Sequence, residues 1–499
     1  MPHSNFVSLF LIGAMLFANL CCTSLTTQQI ASNRQSRIEL TPCSSTHRNP
    51  TALCAKYPVY EDRGAKSGRT IALNILILPA TGAAAKADAV FFLAGGPGQN
   101  ASAVANSAES ALFAELRRQR DLVFVDLRGT GDSHRLACAA PMDYADGQIY
   151  FGEVFEPSSI RACRDALEQI ADLRQYGTAN AMDDLEEVRA ALGYDKINLY
   201  GVSYGTLAAL EYLRRYPERV RAAALAGVLT PAAKLPLHFA QGAELALERL
   251  FEDCAADESC RAKFPDLRAD FTRALAAFDR GPVTFELDPP ASKMRQTVSL
   301  SRTVFTERVR AMLHGHGSAR FIPLLVHDAA QGNWSTFDKI AAALITPPGF
   351  GVAIGVYYSV TCGEALPAIG EDDIRRESQN TFLGDYRTRR HQQACRLWPR
   401  AALDSNYYRP VDSALPILML SGDSDPATPM SLGKKALKYL PNARQIILPN
   451  TPHSYTSECA RGLIAEFVSR GGANELDTSC AARLRRPPFA NELPAQNER

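Results

Sequence analysis

A serine flanked by two glycines stands where a short apolar run meets a helical pattern. GVSYG occupies residues 201–205, after the apolar run 196–200 and at the start of the helical pattern 204–215. Glycine on each side of the serine lets the backbone turn sharply and lets neighbouring segments pass close to it. The junction therefore predicts a parallel strand that ends in a strained turn at Ser203, with this side chain at the N-terminus of a helix.

Strand and helix patterns alternate on both sides of this junction. Fully apolar runs at residues 90–93 and 122–125 are typical of central parallel strands that are covered on both faces. Alternating apolar residues at 70–78 predict a strand at the start of the sheet. Further strands are predicted at 220–225, 417–420 and 445–448. This rhythm predicts the α/β fold class with a mostly parallel central sheet.

One predicted helix precedes the serine. Residues 183–192 predict this helix with Asp183 and Asp184 in its first turn, where the helix dipole favours acidic side chains.

The alternation of strands and helices is interrupted once. From about residue 231 to 355 the patterns become helical and irregular, which predicts an inserted helical cap. The predicted divisions are a signal peptide or lipoprotein signal at 1–24, core at 25–232, cap at 233–355, core at 356–488 and a tail at 489–499.

The N-terminal residues differ in composition from the rest. An apolar-dominated stretch at residues 6–20 precedes Cys21 and Cys22. Its length suits the apolar region of a signal peptide and is short for a membrane span. An uncleaved anchor and a lipid anchor are the alternatives, although Leu20 stands where a lipoprotein signal normally has a small residue. We expect export to the periplasm or the exterior, with a membrane partner only if the N-terminus is lipidated or uncleaved.

Cysteine spacing agrees with export. Ten of the 12 cysteines lie beyond the signal region and form neighbours in sequence: Cys43 with Cys54, Cys138 with Cys163, Cys254 with Cys260, Cys362 with Cys395, and Cys459 with Cys480. An even number at short separations indicates local disulfides without proving their connectivity. Metal binding is the weaker interpretation, because neither CxxC nor HExxH occurs and His314 and His316 are interpreted as a solvated loop.

The charge balance excludes some partners. The formal net charge is +1, from 54 basic and 53 acidic residues. Such a balance gives no reason to expect nucleic acid or an anionic membrane as the main partner. The sequence implies neither a metal nor an organic cofactor.

A second glycine cluster follows the apolar run 90–93. GGPG at residues 95–98 could be an ordinary Gly/Pro turn, but its position at a strand end favours a different interpretation. If Ser203 is the nucleophile of an acyl-transfer reaction, two backbone N–H groups must hold the developing negative charge. One belongs to the residue after Ser203, and the other to a loop after an early strand. Tyr204 would supply the first group, and Gly95 or Gly96 the second.

The remaining groups of such a site are expected on late strands, in the order serine, acid, histidine. The loop after one late strand contains Asp423 and Asp425, and either could serve or form an Asx turn. Of the nine histidines, only His453 lies in a loop after a late strand and also comes later in the chain than an acidic loop at a strand end. We expect His453 to take the Ser203 proton, the aspartate to orient the imidazole, and water to release the acyl group.

Several motifs, in order, make the chain similar to a known family. They are AGGPGQNA from residue 94, DLRGTGDS from 126, DDLEEVRAALGYDKINLYGVSYGT from 183, TCGE from 361 with CRLWP from 395, and GDSDPATP from 422. From about residue 55 to 485 the chain resembles the α/β-hydrolase peptidases that include prolyl aminopeptidase and the secreted tripeptidyl aminopeptidases, in the branch with a TAP-like C-terminal portion. The resemblance implies the α/β-hydrolase fold and an exopeptidase acting on peptides with a free N-terminus.

The resemblance also assigns residues. The family's acid precedes a Pro-x-Thr-Pro run, which makes Asp425 rather than Asp423 the triad member. Its exopeptidases bind the free amino group through carboxylates near the cap. We assign this role to Glu364, with an ion-paired hinge glutamate as the alternative. The chain departs from the family pattern at Ala94, where prolyl aminopeptidases usually have histidine, and at Ser454, where glycine is common. The first departure weakens an expectation of strict proline specificity.

Two other functions fit parts of the pattern. A carboxylesterase or lipase of the same fold is the second interpretation, because the same triad attacks esters. GGPG nevertheless stands where many lipases have an HGGG-type loop. A binding protein that lost catalysis is the third, and the presence of Ser203, Asp425 and His453 argues against it.

Overall fold

Nine strands form one sheet in the part of the chain that the computed structural model describes, which comprises residues 38–44, 49–83, 85–106, 113–138, 146–287, 294–344 and 351–493. The sheet strands are β1 (Thr41–Pro42), β2 (Leu53–Tyr60), β3 (Thr70–Leu78), β4 (Val90–Leu93), β5 (Leu122–Val125), β6 (Ile197–Val202), β7 (Val220–Ala226), β10 (Ile417–Gly422) and β11 (Ala443–Leu448). Two further strands, β8 (Val283–Leu287) and β9 (Gln296–Leu300), pair as a separate antiparallel hairpin.

The strand order is β1-β2-β3-β5-β4-β6-β7-β10-β11. The pairs from β5 through β11 are parallel, and the pairs among β1, β2, β3 and β5 are antiparallel. Leu93 pairs with Gly201, and Val202 with Ala226. The carboxyl ends of the central parallel strands therefore meet at one edge of the sheet. The α/β class with a mostly parallel sheet is confirmed.

Helices cover both faces of this sheet. They are α1 (Ala101–Asn106), α2 (Ala114–Arg117), α3 (Pro157–Glu168), α4 (Thr178–Ala191), α5 (Tyr204–Arg215), α6 (Phe239–Ala256), α7 (Glu258–Lys263), α8 (Leu267–Ala276), α9 (Arg302–Met312), α10 (His316–Ala319), α11 (Ile322–Ala330), α12 (Ser335–Leu344), α13 (Ile354–Val360), α14 (Glu371–Ser378), α15 (Tyr386–Cys395), α16 (Met430–Ala436) and α17 (Glu458–Arg470). β4 and β5 are buried along their whole length, as their unbroken apolar sequences require.

The start of α4 differs from the prediction. The helix begins at Thr178, so Asp183 and Asp184 lie in its interior rather than in its first turn. Asp184 is buried and accepts hydrogen bonds from Arg128, with Nε at 2.6 Å and Nη2 at 2.8 Å. The apolar pattern alone did not reveal the earlier start. The start of α4 at Thr178 coincides with hydrogen bonds from Thr178 to Glu364, which lies far away in sequence.

A second apolar core lies between β7 and β10. It is built mainly from α6, α8, α9, α11 and α12 and from the β8–β9 hairpin, and it includes Phe251, Phe271 and Phe305. This segment occupies the place where a helical cap is predicted. The bounds 233–355 stay a prediction, because the core also takes in Phe382 and Phe489 from outside them.

The ten cysteines beyond the predicted signal region form five disulfides. The bonds join Cys43 to Cys54, Cys138 to Cys163, Cys254 to Cys260, Cys362 to Cys395, and Cys459 to Cys480. The predicted disulfides are confirmed with neighbour-to-neighbour connectivity. The predicted signal segment at 1–24 and the end of the tail lie outside the described residues. Among the helices that the structure describes, none has the length and apolar character needed to cross a membrane.

Candidate active site

Ser203 occupies a sharp turn between β6 and α5. Its φ of 56° and ψ of −123° lie in a region that non-glycine residues rarely adopt. The Ser203 N–H donates to the Ala226 carbonyl at 2.9 Å, which ties the turn to the end of β7. A Cβ at Gly205 would lie 2.0 Å from the Leu93 carbonyl oxygen, so only glycine allows α5 to pass this close to β4. The strained junction predicted from GVSYG is present.

The second glycine cluster lies directly against this serine. A Cβ at Gly95 would lie 3.1 Å from the Ser203 Cβ, so the loop backbone touches the serine side chain. Gly96 has a φ of 110°, in the region that favours glycine. The Ala353 N–H donates to the Gly98 carbonyl at 2.8 Å and anchors the far side of the loop. Gly95 thus borders Ser203 from the β4 side, Gly96 follows Gly95 in the same loop, and Tyr204 follows Ser203 at the first position of α5.

Asp425 and His453 form a hydrogen-bonded pair. The His453 Nδ1 lies 2.8 Å from the Asp425 Oδ2, which also accepts from the Thr428 hydroxyl at 2.6 Å and the Tyr455 hydroxyl at 2.7 Å. Backbone N–H groups of Ala427 and Thr428 donate to Oδ1, each at 2.8 Å. Burial alone would raise the pKa of Asp425, but His453 and the Thr428 donors outweigh it and hold this pKa well below its usual range. The carboxylate is therefore ionised and held firmly.

Asp423 makes different contacts. Its Oδ1 accepts from the Ser424 hydroxyl at 2.7 Å and from the Thr451 N–H at 3.3 Å. It thus supports the loop before His453 instead of contacting the imidazole. The structure brings Asp425, and not Asp423, to His453.

Ser203 and His453 both lie against the end of β7. Ala226, which accepts the Ser203 N–H, is followed by Gly227 with a φ of 68°. A Cβ at Gly227 would lie 3.2 Å from the His453 Cε1 and 3.0 Å from the Tyr455 ring. The missing side chain leaves the imidazole room beside the strand end. Ser203, His453 and Asp425 are therefore grouped at the carboxyl edge of the sheet.

Glu364 lies in a π-helical turn, Thr361–Ala365, that follows α13. Its Oε1 accepts from the Thr178 N–H, and its Oε2 accepts from the Thr178 and Tyr407 hydroxyls, each at 2.7 Å. Thr178 in turn contacts the Tyr204 hydroxyl at 2.8 Å. Burial raises the pKa of Glu364 against the lowering effect of these donors. Both carboxylate oxygens of Glu364 thus accept hydrogen bonds from protein groups. One of these donors, Thr178, also contacts Tyr204, the residue after Ser203.

His314 and His316 do not form the solvated loop that the sequence suggested. The ring centroid of His314 lies 5.6 Å from that of His453, with the planes at 82°. His316 lies close to the Asn450 backbone, in the loop that carries His453. The second apolar core positions both side chains, and no local pattern reports that packing. The described residues contain no cluster of three or more His, Cys, Asp or Glu side chains that could hold a metal ion.

No sequence pattern predicted the buried charge cluster near His314. Glu307 and Arg310 lie on α9, and the Glu307 Oε2 accepts from Arg310 at 3.1 Å and from Arg387 at 2.6 Å. Burial opposes ionisation of Glu307, but the two arginines lower its pKa to about 2. The Glu307 Oε1 is buried and has no hydrogen-bond partner among the described residues.

Comparison with known proteins agrees with this geometry. The sequence profile of the α/β-hydrolase fold family matches residues 88–455, well over half of the chain. The strained serine turn and the grouped serine, histidine and aspartate define the class as a serine hydrolase. The chain belongs to the α/β-hydrolase fold family.

Three relatives have named activities. Serine protease Hip1 of Mycobacterium tuberculosis is 26% identical over 440 residues, which cover 79% of this chain and 81% of the relative. A tripeptidyl aminopeptidase of Streptomyces lividans is 28% identical over 219 residues, 40% of each chain. Carboxylesterase B of Mycobacterium tuberculosis is 24% identical over 461 residues, 86% of each chain.

Proposed function

We propose that this chain is an exported serine exopeptidase that removes short N-terminal units from peptides. Ser203, His453 and Asp425 act as its triad. The observation that carries the proposal is the meeting of three elements at one sheet edge: the strained Ser203 turn, the Gly95 loop against it, and the Asp425–His453 pair. Because the His453 Nδ1 faces Asp425, its Nε2 is the nitrogen left to accept the Ser203 proton.

The acyl-transfer chemistry follows from these positions. Ser203 attacks the scissile carbonyl while His453 takes its proton, and the N–H groups of Tyr204 and of Gly95 or Gly96 stabilise the oxyanion. His453 then protonates the leaving amine, and water hydrolyses the acyl-enzyme by the same route.

Peptides are the preferred substrate class in this proposal. The similarity to a serine protease extends over most of the chain, and a tripeptidyl aminopeptidase matches a shorter part. A carboxylesterase is the second candidate, favoured by a match of comparable extent to carboxylesterase B. The five disulfides support export, because such bonds persist in oxidising compartments.

Two buried carboxylates are candidates for binding the free amino group. An ammonium donates three hydrogen bonds and needs acceptors with free capacity. Both oxygens of Glu364 already accept hydrogen bonds from Thr178 or Tyr407, whereas the Glu307 Oε1 accepts none within the described ranges. Our proposal keeps Glu364 as the predicted anchor and adds Glu307.

Substitution of each carboxylate separates the two candidates. Glu364→Gln and Glu307→Gln are each assayed on one peptide amide with a free and with a blocked N-terminus. The anchor is the residue whose amide variant loses the preference for the free amine by about tenfold or more, the effect of one lost charged hydrogen bond. An unchanged preference rules out the residue concerned. Thermal unfolding of both variants shows whether the fold is retained.

The proposed function is tested with paired fluorogenic substrates. Pro- and Ala-Ala-Pro-amides, each with free and blocked N-termini, are compared with a butyrate ester, and Ser203→Ala is the matched control. Cleavage of free-amine peptides only, abolished in Ser203→Ala, is the expected result. Ester turnover without peptide turnover supports the carboxylesterase instead. Full activity of Ser203→Ala contradicts the assignment of the nucleophile.

A further inference from the structure

The His-Gly-His segment, residues 314–316, contacts the loop that carries His453 at two places. His314 packs edge-to-face on the His453 ring, with centroids 5.6 Å apart. His316 lies close to the Asn450 backbone at the start of that loop. Asn450 has a φ of 51°, and its Nδ2 donates to the Leu484 carbonyl at 3.2 Å. The segment thus touches both the reactive end and the base of the loop.

The orientation of His314 is set by one neighbouring residue. Its Nδ1 lies 3.1 Å from the Arg310 carbonyl oxygen, which can only accept, so Nδ1 carries the proton. Its Nε2 lies 3.5 Å from the Arg310 Nη1, which can only donate. Arg310 therefore contacts both ring nitrogens. Arg310, through its side chain and its backbone carbonyl, therefore sets both the tautomer and the ring plane of His314.

His314 is neutral where it touches His453. Burial, Arg310 and His453 lower the pKa of His314 to about 3. The groups that face His453 are then Asp425, the Thr428 hydroxyl at 3.3 Å, the Tyr455 ring and the uncharged His314 ring. A neutral aromatic edge restricts the movement of the His453 ring without opposing the positive charge that His453 acquires during catalysis.

We propose that the His-Gly-His segment is a positioning element, in which His314 holds the His453 imidazole against Asp425 in its reactive orientation. This inference rests on the triad of the proposed function but not on its peptide specificity. It makes the helical segment between β7 and β10 part of the catalytic apparatus even for substrates too small to fill a substrate cavity. His314 acts through His453 and contacts no reacting atom in this proposal.

The proposal is tested with reagents that report the triad alone. The rate of Ser203 labelling by a fluorophosphonate, and kcat and KM for p-nitrophenyl acetate, are measured for the parent, His314→Ala and His314→Phe. We expect His314→Ala to lower the labelling rate and kcat by about tenfold or more, since loss of orientation at a reacting group has this effect. The KM should not change. His314→Phe keeps an aromatic edge and should recover most of both rates.

Three results overturn the proposal. One is a folded His314→Ala variant with the parent's labelling rate. A second is an increase in KM for peptides with labelling unchanged, which makes His314 a substrate contact. The third is a His314→Phe variant as slow as His314→Ala. If His314→Ala does not fold, His314→Leu replaces it, because leucine fills the space without an aromatic edge, and it must be slower than His314→Phe.

Failure of the proposed function gives a different result. A parent enzyme that is not labelled at Ser203 contradicts the triad itself. A parent that is labelled and cleaves p-nitrophenyl acetate but no peptide contradicts only the exopeptidase assignment. In that case the comparison of His314→Ala with His314→Phe still decides whether His314 positions His453.

Discussion

Tyr455 provides the sharpest single test of the Asp425–His453 pair. Its hydroxyl donates to the Asp425 Oδ2 at 2.7 Å and accepts the Gly422 N–H at 3.1 Å. The residue is buried, and its ring packs beside Gly227. Tyr455→Phe removes the hydroxyl and keeps the ring, so the perturbation is confined to these two hydrogen bonds. No sequence motif pointed to this residue.

The expected loss of stability in Tyr455→Phe follows from the hydrogen bonds that Asp425 keeps. Asp425 keeps both backbone donors, the Thr428 hydroxyl and His453. A hydrogen bond to a charged group contributes about 1.5 to 3 kcal/mol, so we expect Tyr455→Phe to destabilise the fold by about 2 kcal/mol. With one donor fewer, the carboxylate attracts the protonated imidazole more strongly.

The assay is kcat/KM for a small ester measured between about pH 5 and 9, the range in which histidine titrates. In the parent, activity should rise as His453 loses its proton. In Tyr455→Phe the ascending limb should move to higher pH, and activity should fall most on the acidic side. Chemical denaturation of the same samples measures the loss of stability separately.

Tyr194→Phe is the matched control. The Tyr194 hydroxyl donates to the Asp121 Oδ2 at 2.9 Å, and both residues are buried before the amino ends of β6 and β5, at the opposite edge of the sheet. This variant should lose comparable stability without moving the limb. An unchanged limb in Tyr455→Phe, a limb at lower pH, or an equal movement in Tyr194→Phe refutes the reasoning.

Two further predictions concern stability. Burial and Arg387 lower the pKa of His391 to about 3, so below about pH 6.5 the unfolded chain binds a proton that the folded chain does not. The parent should therefore lose about 1.4 kcal/mol per pH unit from this group as the pH falls from 6.5 towards 3, and His391→Gln should show a shallower slope in denaturant titrations. Gly205→Ala should prevent folding, because its Cβ would lie 2.0 Å from a backbone oxygen, whereas Gly462→Ala, at an exposed position of α17, should stabilise by about 0.5 to 1 kcal/mol. Equal thermal stability of the two alanine variants, or equal pH slopes for His391→Gln and the parent, contradicts these expectations.

Features that depend on neighbours in sequence were predictable. Apolar runs such as 90–93 and 122–125 became buried central strands, and GVSYG became the strained turn at Ser203. The five disulfides joined cysteines separated by 6 to 33 residues, as short spacing indicated. Hydrophobic periodicity and turn chemistry report the local environment of a residue, so the sequence carries this information directly.

Features that depend on packing between distant segments required the tertiary structure. Position in the chain left Asp423 and Asp425 as equal candidates, and only the family resemblance favoured Asp425. The contacts show that Asp425 lies at His453 and that Asp423 supports the loop before it. The HGH run looks like solvated loop, yet His314 packs on His453 because a second apolar core holds α9 above the sheet edge. The sequence by itself determined the fold class, the strained serine and the cysteine pairs. The tertiary structure decided which polar groups face one another, because those contacts join residues whose separation along the chain leaves no periodic signal.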